Sequence, residues 1–173
     1  MLEILTPLNK CERVSRQIAP ATFVAKPGEW AQVESDGSLI NVEAGVNAKI
    51  NKLVIGSASS NQYESHDVEV GRITSMESHG IRCKVDTVGF HDVVSQGDEL
   101  VVSSASDSLG KLMSVNRAAS GTYEVVARAE EVNLTTGYLI FRTVSPYMKA
   151  VSHASTSASA SASPSASVSA SPS

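Results

Sequence analysis

The residues of this chain whose types could do chemistry are few and scattered. His79, Cys83 and His91 are zinc-ligand types, but their spacing matches no compact ligand pattern. His66 stands beside Asp67, a neighbour able to orient a general base, yet no Gly-x-Ser-x-Gly turn supplies a nucleophile to go with it. No Walker A loop or dinucleotide fingerprint is present. Gly97-Asp98-Glu99-Leu100 looks like a retention signal but is internal, so it reads as a turn entering a strand. Asn133-Leu134-Thr135 satisfies the glycosylation triplet but no secretory leader accompanies it. The expectation is a chain that is not an enzyme, with no catalytic residue, no metal and no cofactor.

Charge narrows the partners. The 173 residues carry 14 Lys plus Arg against 18 Asp plus Glu, a net charge of −4. There is no basic stripe interleaved with aromatics, so nucleic acid is not an expected partner. No apolar run approaches the roughly 20 residues of a membrane helix, and the first residues lack the basic-then-apolar order of a secretory signal. Two cysteines, Cys11 and Cys83, are too few for a disulfide framework. A soluble protein made in a reducing compartment, with no membrane partner, is the expectation.

Composition divides the chain. Val and Ile total 29 against 10 Leu, and such side chains pack well on a pleated surface. Glycines punctuate the first 149 residues at intervals that suit short strands and turns. Residues 150–173 are almost entirely Ser and Ala, with nothing large enough to repay the entropy of ordering, and read as a flexible tail. Residues 23–149 read as a compact all-β body, a barrel or sandwich of short antiparallel strands. Residues 1–22 read as an appendage, either an extended arm or a short helix in which Asn9 caps and Cys11, Val14 and Ile18 share a face.

Within the body, Ile81 to Thr87 alternates, with Ile81, Cys83 and Val85 on one face, so Cys83 is expected to act as a small buried hydrophobe. Ser35-Asp36-Gly37 and Ser108-Leu109-Gly110 predict hairpins. Thr122 to Val132 predicts a strand with Tyr123, Val125, Ala127 and Ala129 on one face. Thr136-Gly137 then turns the chain into a strand from Tyr138 that Pro146 is expected to stop. Lys49 to Ile55 and Val68 to Thr74 are further candidates. Trp30, the one tryptophan, is either core or an anchor at an interface.

The run Gln96 to Val102, then Leu109-Gly110-Lys111-Leu112, then Tyr123 to Glu130, then Gly137-Tyr138-Leu139-Ile140 resembles bacteriophage head decoration (capsid cement) proteins. In that family a Gly-Asp turn enters a strand, a Gly hairpin follows, then a strand with a small residue and an acid, then Gly before the last strand. Here these are Gly97-Asp98, Gly110, Ala127 with Glu130, and Gly137. The likeness covers 96–145, and 23–55 more loosely. It implies a structural virion protein on the outer capsid surface, made in the host cytoplasm. Such a protein stabilises contacts between major capsid protein subunits as a homo-oligomer, with a trimer favoured and a dimer as the alternative. The candidate interface residues are Leu5, Leu8, Val14, Ile18, Phe23 and Trp30. Other virion β modules of a tail, neck or fibre base, and a small oligomeric β enzyme, are the competing classes.

Overall fold

The computed structural model describes residues 1–18, 23, 25–45, 49–57, 72–91 and 94–152. The Ser/Ala-rich tail and the His66-Asp67 pair lie outside these residues, the tail beyond Ser152. The described part is all-β. Eleven strands run in chain order: β1 Leu2–Ile4, β2 Arg13–Gln17, β3 Trp30–Val33, β4 Leu39–Ile40, β5 Asn51–Ser57, β6 Arg72–Met76, β7 Arg82–Asp86, β8 Glu99–Val102, β9 Leu112–Ser114, β10 Gly121–Asn133 and β11 Tyr138–Val151. Two short 3₁₀ turns, Leu8–Lys10 and Val115–Arg117, complete it.

The strands form two antiparallel sheets. A six-stranded sheet has the order β1-β7-β11-β10-β8-β9, and a five-stranded sheet the order β2-β6-β5-β3-β4. A bridge from Ile18 to Leu39 links the two outer strands of the smaller sheet, so that sheet curls toward closure around Ala25, Ala31, Leu39 and Val54. The main core lies between the sheets. Trp30, Leu53, Ile55 and Met76 of the smaller sheet meet Cys83, Val85, Leu100, Leu112, Leu139 and Phe141 of the larger one. Each large side chain removed from water there contributes roughly 1.5–3 kcal/mol, so the core is the main stabiliser of the fold.

The local readings that hold are those set by period-two alternation and turn residues. Cys83 and Val85 point inward from β7 and are fully buried. The Asp36-Gly37 turn joins β3 to β4 with Gly37 at φ 84°. Gly110 has a second task, because its φ is 76° and a Cβ there would lie 2.8 Å from the Trp30 carbonyl oxygen. The Trp30 N–H donates to the Gly110 carbonyl at 2.8 Å, so the β8–β9 loop is fastened across to the other sheet by backbone alone. Only a residue without a side chain permits that approach.

Three expectations fail, each for a tertiary reason. The first 18 residues are neither a helix nor a free arm. Leu2–Ile4 pairs with β7, Arg13–Gln17 pairs with β6, and Leu2 and Cys11 are core residues. Alternation of Val14, Arg16 and Ile18 toward the interior wins over the helical spacing of Cys11, Val14 and Ile18, because the edge of β6 satisfies the backbone of β2. Next, Tyr123 and Val125 do not share a face with Ala127 and Ala129. The pairing shifts between Val125 and Ala127, placing Tyr123 and Val125 in a separate cluster with Val101, Val115 and Ala118. Val126, Ala127 and Ala129 go to the main core. An extra residue in a strand reverses every side chain beyond it. Last, Pro146 does not end β11, which runs on to Val151 alongside Gly121–Val125. Beyond Thr143, β11 has β10 on one side and no strand on the other among the described residues. An edge strand is where proline is tolerated.

Candidate interaction surfaces

The side chains singled out for chemistry do not converge. Cys83 is fully buried, and burial pushes its thiol up to about 12, with Cys11 nearby adding to the effect. Both cysteines are free. His79 precedes β7 and His91 follows Phe90, and no group of three or more metal-ligating side chains forms among the described residues. The Gly97-Asp98 turn is held by Gly97 N–H donating to Ala129 O and by Ser95 N–H donating to the Asp98 carboxylate. Asn133 accepts from the Thr136 N–H through its side-chain oxygen and so shapes the β10–β11 turn.

One buried acid and one half-buried acid organise the interior polar contacts. Glu77, just beyond β6, pairs with Arg16 of β2 at 3.0 Å and Lys52 of β5 at 2.7 Å, and accepts from the Ser75 hydroxyl at 2.9 Å. It therefore ties three strands of the smaller sheet. Glu124 of β10 faces inward. One carboxylate oxygen accepts from both the Asn51 backbone N–H at 2.7 Å and its side-chain amide at 2.9 Å, joining the two sheets. Burial raises the Glu124 carboxyl above its ordinary value, with the Asn51 hydrogen bonds opposing it. Asn51 Oδ1 and Trp30 Nε1 are buried without a protein partner, and both residues line a cavity of ≈ 20 Å³, the size of one water molecule.

This arrangement fixes the sign of a pH effect. A carboxyl whose folded value is raised costs stability as pH climbs from its unfolded value through its folded one. Glu124→Gln keeps an acceptor for Asn51 and adds an amide donor beside a residue that lacks one. The variant is expected to unfold about 1 kcal/mol less readily than the parent at pH 7, with the difference vanishing near pH 4. Urea titrations at the two pH values check this; a variant less stable at pH 7 contradicts it.

The surface shows apolar side chains at both ends of the β10–β11 hairpin. At the turn Leu134 is exposed, and the exposed Met1 lines a groove together with Thr136 and Gly137. Two open grooves flank the turn. One, of ≈ 490 Å³, runs between Phe90, His91, Lys111 and Leu134. The other, of ≈ 370 Å³, runs between Met1, Lys84, Asp86 and Tyr138, where the Lys84 ammonium sits 4.6 Å from the centre of the Tyr138 ring. At the opposite end Tyr147 and Met148 are exposed on β11. Ile50 is exposed beside Asn51, which binds Glu124, the residue paired with Met148. At ~3.3 Å per residue, the stretch of β11 from Tyr138 to Met148 separates the two ends by roughly 30 Å.

Of the six sequence-predicted interface residues, the five whose side chains are described are not among the exposed large apolar ones. Trp30 is 4% exposed and belongs to the core. Ile18 and Phe23 are half-buried against the interior of the smaller sheet, and Leu5 and Val14 are half-buried along β1 and β2. Leu8 lies in the first 3₁₀ turn, its side chain outside the described residues. The exposed positions Leu134, Tyr147, Met148 and Ile50 were not singled out by sequence reading. One signal for them exists, Pro146 within an otherwise strand-like run, which marks an edge. Comparison with protein-family models, with curated proteins and with solved structures returned no match.

Proposed function

We propose that this chain is a structural virion protein that binds the outer surface of a phage capsid and stabilises contacts between major capsid protein subunits. The observation that carries the reading is the pair of exposed apolar surfaces at the two ends of one long hairpin, roughly 30 Å apart by strand length. Exposed apolar clusters on an otherwise polar surface suit protein contacts. A body with two of them can touch two neighbours at once, and each modest contact then gains from the effective concentration set by the other. The Glu124–Asn51 contacts tie the two sheets of the body together, as a clamp requires. The turn sequence resembling decoration proteins falls on the strands that build this hairpin and its neighbours β8 and β9. No reaction and no cofactor enter this role, the partners are coat subunits and further copies of the chain, and neither nucleic acid nor membrane is involved.

Quantitative mass spectrometry of purified particles tests it, by the ratio of this chain to the major coat protein. Hundreds of copies, in a simple ratio to coat subunits, are expected. A few copies per particle would move the chain to the tail, neck or fibre base, and absence would overturn a virion role.

A further inference from the structure

We propose that β11 continues the larger sheet into a second copy of this chain, through antiparallel pairing of residues 145–151 centred on Met148. It rests on the reading above only in this: the Tyr147–Met148 end of the hairpin takes a second copy as its neighbour, and the Leu134 end remains for coat subunits.

From Val144 onward no strand pairs with the outer side of β11 among the described residues, while β10 occupies the inner side to Val151. Such an edge offers a row of backbone donors and acceptors to another strand. Two of the exposed large apolar side chains, Tyr147 and Met148, lie on this strand. A two-fold axis perpendicular to the sheet keeps each face of the strand on its own side, so the register is set by which residue pairs with its own copy. Centring on Lys149 would place two ammonium groups directly opposite, a destabilising arrangement. Centring on Met148 pairs two methionines on the inner face and sets Tyr147 against the second copy's Lys149 on the outer face, with no like charges opposed.

Within one chain Glu99 of β8 binds the Lys149 ammonium and accepts from the Tyr147 hydroxyl at 2.6 Å, across β10 and away from the open edge, so the one cation of this segment is neutralised and drawn back from the axis. Pro146 faces Ala150 in this register and costs the ladder at most one hydrogen bond per chain. The resulting pair has closed two-fold symmetry, in which one patch meets itself and both free edges are consumed.

The test uses the full chain. Light scattering on the wild type is expected to give a mass twice 18.1 kDa, and Met148→Lys is expected to halve it with an unchanged circular dichroism spectrum. The side chain at 148 is half exposed, so the substitution leaves the fold intact while placing like charges opposite each other. Met148→Cys is expected to form a reducible covalent dimer under mild oxidation, since directly opposed Cα atoms lie about 4.5–5.5 Å apart. Ser145→Cys, which faces Val151 rather than itself, is not. A monomeric or trimeric wild type overturns the proposal, as does a dimer that survives Met148→Lys. Cross-linking of Ser145→Cys in preference to Met148→Cys overturns the register. A monomer whose β11 amides are protected from hydrogen exchange overturns it too, in favour of the chain's own C-terminal segment on that edge.

Discussion

Trp30→Ala is expected to lower the unfolding free energy by about 3–5 kcal/mol, the largest single effect in the molecule. Trp30 lies at the start of β3, 4% exposed, in the cluster that holds the two sheets together. Its indole contributes to that core from the smaller sheet. Its backbone also bonds to Gly110, so the position links the sheets twice, and only the side-chain link is lost in the variant. The remaining backbone cannot close the gap, because Gly110 already approaches as near as a residue can. A cavity is therefore left, with the dispersion contacts of its lining forfeited. For a chain of this length the loss corresponds to a drop in Tm of roughly 10 °C or more. Trp30→Phe keeps most of the apolar volume and removes the buried indole N–H that has no protein partner. It is expected to cost no more than about 1.5 kcal/mol. Urea titrations followed by circular dichroism compare the three proteins, since the variants lack the only tryptophan. Equal losses in Ala and Phe variants would show that the indole N–H, not the packed volume, is what the fold uses.

Glu77→Ala is expected to cost about 3 kcal/mol, close to the alanine substitution in the core, although it removes only a carboxylate. The cost lies with the groups left behind. Arg16 and Lys52 are both mostly buried and would lose their shared counter-charge, and Ser75 would lose an acceptor. Among the described residues Arg16 retains its bonds to the Gly37 carbonyl and to Ser75. Glu77→Gln keeps the hydrogen-bonding outline without the charge and is expected to lose about half as much. The pH dependence separates this from a packing effect. Burial alone would raise the Glu77 carboxyl, but the Lys52, Ser75 and Arg16 contacts outweigh it and hold the group below its ordinary value. A carboxyl lowered on folding adds stability that is fully present above its unfolded value and is lost as pH falls through the folded one. The gap between wild type and Glu77→Gln is therefore expected to be full at pH 7 and to close on acidification below about pH 4. Unfolding free energies measured from pH 7 down to pH 3 decide it. A gap that stays constant across that range would mean that charge pairing is not the source of the stability.

The opposite signs of Glu77 and Glu124 follow from their neighbours. Burial acts on both acids, Glu124 fully and Glu77 in part, but Glu77 meets two cations, and Glu124 meets the neutral amide of Asn51, with Lys52 acting on it only at a distance. Neither pairing was visible in the sequence. Glu77 and Arg16 are 61 residues apart, and Glu124 and Asn51 are 73 apart. Nothing in the composition near either acid distinguishes it from the exposed acids of the surface.

What the sequence determined by itself was whatever depends on near neighbours. Alternation sent Cys83 and Val85 inward. Asp36-Gly37 and Gly110 set hairpins because their backbones need φ values that other residues resist. The surplus of β-branched residues made the body all-β. Tertiary structure decided the rest. A shift of pairing at Val125 turned Tyr123 away from the main core. The open edges of β6 and β7 drew residues 1–18 into the sheets instead of leaving them as an appendage. The absence of a strand beside the end of β11, among the described residues, let Pro146 remain within it and left Tyr147 and Met148 at the surface. Period and turn chemistry are properties of a few consecutive residues. Register, edges and buried charge pairs are properties of segments that meet only after the chain has folded, and the surfaces proposed for function belong to that second kind.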